Sequence, residues 1–337
     1  MSEVLPEDAS ILIALPGRLG DIVMGLPTLA ALRERYPRAF IGWVVERRFS
    51  GLLKGHPLVD QIYCYDRPVR ATGLARVTKL PPLLKALGQL RAELIRQPWD
   101  AALILQTRLA AALVAGLSRA RLRLAFADHR RRFHWLFANR LVKRPQAHAV
   151  LQYLSMAEAV GSRPSEIRLS LQPLPDALAW ADEALAALPR PRVALVMGAA
   201  HAHKAWPPAC FAEMVAVVSK RLDSCSFFCV GGETERALGE QVVARCDAPA
   251  LNLAGATTLP QLVAVLSRAD VTVSGDTGPM HVAAAVGCPV VALFGRTDPS
   301  ATAPWGNRHV VLRPPEGATA AISPLQVAEA VVALLSR

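Results

Sequence analysis

Short apolar runs alternate with segments of helical length along the whole chain. In the first half this pattern predicts strands at residues 11–15, 40–45, 61–65, 101–105 and 122–126. In the second half it predicts strands at residues 193–197, 226–230, 251–253, 271–274, 290–294 and 310–312. Helices are predicted between them, including residues 146–160, 207–221 and 259–269. Such alternation is typical of repeated βα units and a parallel sheet.

The pattern begins again after the Gly161-Ser-Arg-Pro-Ser segment, which predicts two doubly wound, Rossmann-like α/β domains. We expect an N-terminal domain at residues 1–165 and a C-terminal domain at residues 166–337, facing a central cleft. The sequence leaves open whether the last helix packs back on the first domain. Residues 66–84, rich in proline and basic side chains, are expected to form a long loop.

Composition supports two buried cores, because 52% of the 337 residues are hydrophobic and 19% are charged. The acidic first residues lack the pattern of a signal peptide, and no apolar run has the length of a membrane span. We therefore expect a cytoplasmic protein. Its six cysteines are scattered, without a CxxC pair or zinc-type spacing, so no metal site is expected.

The excess of positive charge predicts an anionic partner, since the chain has 38 Lys and Arg residues but 27 Asp and Glu residues. Residues 119–144 contain nine basic residues against one acidic residue, Asp128, with Phe133, Trp135 and Phe137 interleaved. This segment fits a solvated face, a phospholipid surface or a nucleic acid. An RNA-recognition signature and a zinc finger are missing from the sequence, so nucleic acid is not expected.

The first strand runs into a glycine-punctuated turn, Pro16-Gly-Arg-Leu-Gly-Asp21, that opens an apolar helix. Gly17 and Gly20 are expected to let the backbone bend there. Asp21 would lie at the mouth of the cleft, where its carboxylate can accept a proton from a hydroxyl nucleophile. The alternative is that Asp21 merely caps the helix.

A second turn of this kind follows the strand at residues 271–274. Asp276, Thr277, Gly278 and Pro279 suit the entry to a helix whose free N–H groups would hold a diphosphate, with His281 one turn further on. Gly287 is expected to end that helix. Here too, helix capping by Asp276 is the alternative.

A third cluster, His201-Ala-His-Lys-Ala-Trp-Pro207, follows the strand at residues 193–197. Lys204 can meet a phosphate as a point charge, whereas Trp206 is expected to pack in the domain. His201 and His203 offer too few ligands for a metal site. The sequence has no GxGxxG with a following ribose carboxylate, no GxxxxGK[ST] and no GxSxG, which disfavours dinucleotide, P-loop and serine-hydrolase enzymes.

The ordered set of motifs resembles the ADP-heptose:lipopolysaccharide heptosyltransferases of glycosyltransferase family 9. It spans nearly the whole chain and consists of Gly20-Asp21 with Gly25-Leu26-Pro27, His56-Pro57 before Val59-Asp60, Lys204 with Trp206-Pro207, Asp276-Thr277-Gly278 with His281, and Phe294-Gly295 before Thr297-Asp298-Pro299.

This resemblance implies a GT-B fold and an inverting, metal-independent transfer of heptose from ADP-heptose to the inner core of lipopolysaccharide. It implies that Asp21 is the general base and that no further cofactor is needed. The donor would be held by Lys204, Asp276, Thr277, Gly278, His281 and Glu233, with Glu235 as the alternative ribose contact. An anionic acceptor of the lipid A–Kdo type would meet Arg18, Arg47, Arg48 and Arg131, and the protein could touch the cytoplasmic face of the inner membrane.

Two other functions remain open at this point. A GT-B transferase using another nucleotide-sugar would keep both anion-binding turns, and a noncatalytic anion-binding protein would explain the charge without Asp21. The Pro16-Gly-Arg-Leu-Gly loop departs from the small hydroxyl residues common in one subgroup of the family. The core position that receives the sugar is therefore left open.

Overall fold

The computed structural model describes residues 3–66, 80–127, 134–198, 205–306 and 308–336. The chain divides into two compact units, Met1–Arg168 and Leu169–Arg337. Each unit contains one six-stranded sheet in which all neighbouring strands are parallel.

The described residues of unit 1 form six strands and four helices. Its strands are β1 (Ser10–Ala14), β2 (Phe40–Glu46), β3 (Gln61–Tyr65), β4 (Ala101–Ile104), β5 (Leu122–Phe126) and β6 (Arg140–Val142). Its helices are α1 (Leu19–Arg35), α2 (Leu80–Leu94), α3 (Leu109–Ser118) and α4 (Ala149–Glu158), with 3₁₀ turns at Arg47–Leu52 and His134–Phe137.

Unit 2 repeats this plan, and the part of it that the structure describes has six strands and seven helices. Its strands are β7 (Arg192–Val196), β8 (Ser226–Val230), β9 (Ala250–Asn252), β10 (Val271–Gly275), β11 (Val290–Leu293) and β12 (His309–Leu312). Its helices are α5 (Pro175–Ala184), α6 (Pro208–Arg221), α7 (Arg236–Val243), α8 (Leu259–Ser267), α9 (Gly278–Ala285), α10 (Pro299–Thr302) and α11 (Pro324–Leu335), with 3₁₀ turns at Glu233–Glu235 and Thr319–Ala321.

Both sheets have the same strand order. Unit 1 runs β3-β2-β1-β4-β5-β6, and unit 2, read in the matching direction, runs β9-β8-β7-β10-β11-β12. The order reverses between β1 and β4 in the first sheet and between β7 and β10 in the second. Ligands of doubly wound folds bind beyond the carboxyl ends of the strands at such switch points, so the loops after these four strands are where a site is expected.

The predicted α/β class is confirmed, and the central strands were found because buried parallel strands read as continuous apolar runs. Strand β6 was missed, since it is short and only partly buried. Helix α2 begins at Leu80, inside the segment predicted as loop, because prolines are tolerated in the first turn of a helix. Residues 67–79 of that loop lie outside the described residues.

The sequence left open whether the last helix packs on the first unit. Helix α11 buries Val327, Ala328, Val331 and Leu334 in the core of unit 2, where it packs against α6. Trp206 lies in the same core, stacks edge-on against Phe211 and donates from its indole nitrogen to the Ile322 carbonyl at 3.1 Å. Among the helices in the described ranges, none combines the length and apolar character needed to cross a bilayer.

Candidate active site

The loop between β1 and α1 turns sharply at Arg18. This residue is the N-cap of α1 and has a φ of 68°, a value that residues other than glycine rarely adopt. The sequence placed the bend at Gly17 and Gly20, but neither is among the residues with positive φ. A backbone hydrogen bond joins this loop to β2: the Glu46 N–H donates to the Pro16 carbonyl at 2.6 Å.

Asp21 lies in the first turn of α1, and its carboxylate is held by two side chains from elsewhere in unit 1. Gln106 Nε2 donates to Asp21 Oδ2 at 2.6 Å, and the Tyr153 hydroxyl donates to Asp21 Oδ1 at 3.1 Å. Gln106 stands two residues beyond β4, and Tyr153 belongs to α4. The N-cap is Arg18 rather than Asp21, so the helix-capping interpretation of this carboxylate is wrong.

Burial raises the pKa of Asp21 above its ordinary value of 3.8, because a desolvated carboxylate is harder to ionise. The hydrogen bonds from Tyr153 and Gln106 and the charges of Arg18 and Arg108 act in the opposite direction. Burial likewise raises the pKa of Tyr153 well above 10.0, helped by the neighbouring Asp21 charge. A carboxylate with a raised pKa beside a switch point suits general-base chemistry.

A second carboxylate, Glu46, lies at the end of β2 beside the same loop. Its side chain is buried, and the guanidinium of Arg48 pairs with it at 2.7 Å. Arg48 also covers the ring of Phe49 at 4.5 Å. Glu46 was not predicted as a site residue, although an acidic residue that ends an apolar strand at the carboxyl edge of a sheet is a signal for a site.

The structure locates three of the four arginines expected to bind the acceptor. Arg18 is exposed, Arg48 is paired with Glu46, and Arg47 donates from Nε to both oxygens of Asp66 at 3.0 Å. Arg47 and Arg48 thus already hold carboxylates of this chain. An anionic acceptor would have to share or replace those partners. Arg131 lies outside the described residues.

In unit 2, Asp276, Thr277 and Gly278 join β10 to α9. Thr277, not Asp276, is the N-cap of α9, and its hydroxyl lies 3.4 Å from the Ser274 hydroxyl without capping the helix. The first turn of α9 therefore keeps backbone N–H groups that its N-cap side chain does not use. His281 is buried one turn further on, and Gly287 has a φ of 83° just after the helix, as predicted for its end.

The two glutamates proposed to meet the ribose have different surroundings. Glu235 lies against Gly198, Gly231 and Gly232, and its oxygens accept hydrogen bonds from the Gly232 N–H and the Thr234 hydroxyl, both at 2.7 Å. Glu233 is 71% exposed and pairs with Arg236 at 3.1 Å. Both glutamates follow β8, next to the switch-point strand β7.

Lys204, together with His201 and His203, lies outside the described residues, so its role stays a prediction. Within the described residues no group of three or more His, Cys, Asp or Glu side chains is arranged to hold a metal ion. Asp60, from the His56-Pro57 motif block, has a structural role: it accepts hydrogen bonds from Arg33 and from the Ile41 N–H, at 2.6 and 2.7 Å.

The two sheets place Gln106 and Asp276 at equivalent positions. Ile104 pairs with the last residue of β1, and Ser274 pairs with the last residue of β7. Gln106 and Asp276 each follow two residues later. At the switch point of unit 1 this position holds Gln106, whose amide contacts the Asp21 carboxylate. At the switch point of unit 2 it holds Asp276, just before the N-terminus of α9.

Comparison with known proteins agrees with this architecture. The sequence model of glycosyltransferase family 9 (heptosyltransferase) matches residues 87–330. The lipopolysaccharide core heptosyltransferase OpsX of Haemophilus influenzae is 27% identical over 300 residues, which cover 88% of this chain and 82% of that protein.

Solved structures share the fold over nearly the full chain. A glycosyl transferase family 9 protein from Veillonella parvula superposes with a TM-score of 0.87 at 21% identity, covering 99% of both chains. The ADP-heptose LPS heptosyltransferase II of E. coli superposes with a TM-score of 0.80 at 23% identity, covering 97% of this chain and 98% of that one.

The fold is therefore that of GT-B glycosyltransferases, with one Rossmann-like sheet in each half. Because the family match extends over well more than half of its residues, this chain belongs to glycosyltransferase family 9, the heptosyltransferases.

Proposed function

We propose that this protein transfers heptose from ADP-heptose to the inner core of lipopolysaccharide, with inversion at the anomeric carbon and Asp21 as the general base. The observation that carries the proposal is the partly buried Asp21 carboxylate at the switch point of the first sheet, in a chain of this family. The names of the similar proteins support both the donor and the acceptor.

The proposed step is a single displacement. The hydroxyl of the acceptor sugar gives its proton to Asp21 while its oxygen attacks the anomeric carbon of the heptose. The bond from that carbon to the diphosphate breaks, and ADP leaves with the electron pair. Attack opposite the leaving group inverts the anomeric configuration. Burial favours this role for Asp21, since a raised pKa makes its carboxylate a stronger base.

Charge on the departing ADP would be stabilised by unit 2. The N-terminal turn of α9 presents backbone N–H groups and the positive end of the helix dipole, beside Asp276, Thr277 and Gly278. Lys204 would add a point charge. Fixed positive groups of this kind take the part that a divalent cation plays in other transferases, so we propose a metal-independent reaction.

The acceptor is proposed to be an anionic lipid A–Kdo type molecule that binds unit 1. Arg18, Arg47, Arg48 and Arg131 lie on that half of the chain, and guanidinium groups match the geometry of phosphate and carboxylate oxygens. A protein that uses such an acceptor would work in the cytoplasm, at the inner face of the membrane.

The proposal is tested by mass spectrometry of the reaction products. Wild type, Asp21→Asn and a surface control, Asp8→Asn, are incubated with ADP-heptose and a panel of heptose-deficient core acceptors, with and without EDTA. We expect wild type and the control to add one heptose mass to one acceptor in both conditions, and Asp21→Asn to lose nearly all transfer.

Other outcomes separate the alternatives. Transfer that requires another nucleotide-sugar would replace the donor assignment, and transfer abolished by EDTA would overturn metal independence. Binding of nucleotide and acceptor without any product, unchanged in Asp21→Asn, would identify a noncatalytic anion-binding protein.

A further inference from the structure

The Asp21 carboxylate receives one side-chain hydrogen bond on each oxygen, and the two donors come from distant parts of unit 1. Gln106 is 85 residues away in sequence and Tyr153 is 132 residues away. Both donors are buried, with 6% of each residue's surface exposed. Neither contact arises from local helix geometry, so the carboxylate is held by the tertiary fold.

We propose that Gln106 and Tyr153 are positioning residues for Asp21: together they fix the plane of its carboxylate and hold it in the ionised form that accepts a proton. The inference rests on the proposed function of Asp21 as the base, and adds two residues that do not themselves contact the reacting atoms.

Gln106 links the base to the loop beside it. Its Nε2 donates to the Gly17 carbonyl at 2.8 Å as well as to Asp21 Oδ2. Both partners are acceptors, so the amide must present its NH₂ group to them. This orientation leaves the other end of the amide unsatisfied, because Oε1 is buried and has no hydrogen-bond partner among the described residues. The side chain is thus oriented as a donor toward Asp21 and Gly17.

Tyr153 is suited to remain a donor throughout the working range of the enzyme. Its pKa lies well above its ordinary value because it is buried beside the Asp21 charge, so its hydroxyl keeps its proton. The charged groups that face this pair are Arg18 and Arg108 at Asp21, and Arg108 and Arg144 at Tyr153. Arg18 and Arg108 favour the ionised Asp21 carboxylate. Arg108 and Arg144 lower the pKa of Tyr153, but burial outweighs them, so the hydroxyl remains a donor.

Fixing the carboxylate matters because proton transfer depends on geometry. Each oxygen keeps a lone pair that the two donors do not use, and the orientation of that lone pair is set once both contacts are made. Removing one donor would let the carboxylate rotate and would raise the pKa of Asp21, since a hydrogen bond to the ionised form would be lost. A merely structural role would change stability without changing the titration of Asp21.

The test compares Tyr153→Phe and Gln106→Leu with matched controls. Tyr36→Phe removes a buried hydroxyl that contacts Leu5 and Val160, and Gln97→Leu removes an amide that donates to Ser10. We expect each test variant to lower kcat about 10- to 100-fold with little change in either KM. The acid limb of its pH–rate profile should move to higher pH. Both controls should keep the wild-type profile.

A second measurement does not depend on activity. The Asp21 carboxyl carbon is followed by ¹³C NMR in the full-length protein and identified by its absence in Asp21→Asn. Its titration midpoint should move to higher pH in both test variants and stay at the wild-type value in both controls. Midpoints unchanged in both Tyr153→Phe and Gln106→Leu would overturn the inference.

The two readouts separate this inference from the proposed function. If wild type transfers no heptose but the midpoints move as expected, the reaction assignment fails while the positioning of Asp21 stands. If heptose is transferred and neither kcat nor the midpoint changes in the variants, the assignment stands and the positioning role fails.

Discussion

The carboxylate of Glu46 occupies the space beside Gly17 that a side chain at residue 17 would need. A Cβ built on Gly17 would lie 2.8 Å from Glu46 Oε1. Glu46 is buried and paired with Arg48, so it has little freedom to withdraw. Gly17 is thus required by close approach rather than by its backbone conformation, and the contact ties β2 to the loop that carries Asp21.

Gly17→Ala is therefore expected to destabilise unit 1 by about 1–3 kcal/mol, the usual effect of overpacking a tight site. It should also lower kcat, because the loop next to Asp21 must shift. Urea melts and initial rates measure the two effects. Gly88→Ala, in helix α2, is the control: a Cβ there meets no atom of the described residues within 4 Å, and stability should rise by about 0.5–1 kcal/mol. Equal stability of Gly17→Ala and wild type would show that Glu46 yields easily.

Arg18 contributes both backbone strain and a positive charge, and two substitutions can separate these effects. Its positive φ stores about 1–3 kcal/mol of backbone strain in a non-glycine residue, and its charge lowers the pKa of Asp21. Arg18→Gly and Arg18→Ala both remove the charge and should raise the KM for the anionic acceptor to a similar extent. Only Arg18→Gly relieves the strain, and it should be about 1 kcal/mol more stable than Arg18→Ala. Equal thermal stability of the two variants would argue against strain at this position.

The raised pKa of Asp21 predicts how activity depends on pH. A base must be ionised, so kcat/KM should fall as the pH drops through the pKa of Asp21, at higher pH than the ordinary value of 3.8. The measurement is a pH–rate profile with saturating ADP-heptose. An acid limb at the pKa of an ordinary exposed aspartate would contradict the raised pKa of Asp21.

The contribution of Asp21 to folding stability should fall as the pH rises, whereas activity should increase. Because its pKa is higher in the folded chain than in the unfolded chain, the folded state binds the proton more tightly. The stabilisation is present at low pH and is lost as the pH rises through the folded pKa. Asp21→Asn should therefore gain stability relative to wild type as the pH is raised from acidic to neutral. Urea melts of both proteins across this range provide the check.

The contacts of the two glutamates after β8 favour Glu233 as the ribose contact. Both oxygens of Glu235 already accept hydrogen bonds, whereas Glu233 is exposed and can exchange Arg236 for ribose hydroxyls. Glu233→Gln is expected to raise the KM for ADP-heptose about 10-fold, the effect of weakening a charged hydrogen bond. Glu235→Gln keeps an acceptor for the Gly232 N–H and should change this KM by less than about twofold. The reverse ranking, measured by initial rates or calorimetry with ADP, would assign the ribose to Glu235.

The sequence was sufficient to predict the turns at Asp21 and Asp276 and both sheets except the short edge strand β6. Buried parallel strands are continuous apolar runs, and a glycine-punctuated turn after such a run marks a strand-to-helix junction. The contacts of Asp21 could not be predicted in this way. Gln106 and Tyr153 reach it only after β1, β4 and α4 have packed, and no spacing along the chain encodes that meeting.

The helix-capping interpretations failed for a related reason. Asp and Thr near a helix entry are good caps by residue type, but which position becomes the N-cap depends on where the backbone turns. Here Arg18 and Thr277 take the N-cap positions. Asp21 therefore lies within the first turn of α1, where its carboxylate can meet Gln106 and Tyr153.

Each six-stranded sheet is assembled from one half of the chain, and among the strands that the structure describes none is exchanged between the halves. During synthesis the first half can therefore fold on the ribosome while the second is still being translated, as is usual for domains built from contiguous sequence. Asp21, Gln106 and Tyr153 would already be assembled before the turn at Asp276 has emerged. A nascent chain stalled between the halves would carry the proposed base and both of its hydrogen-bond donors, but not the proposed nucleotide site.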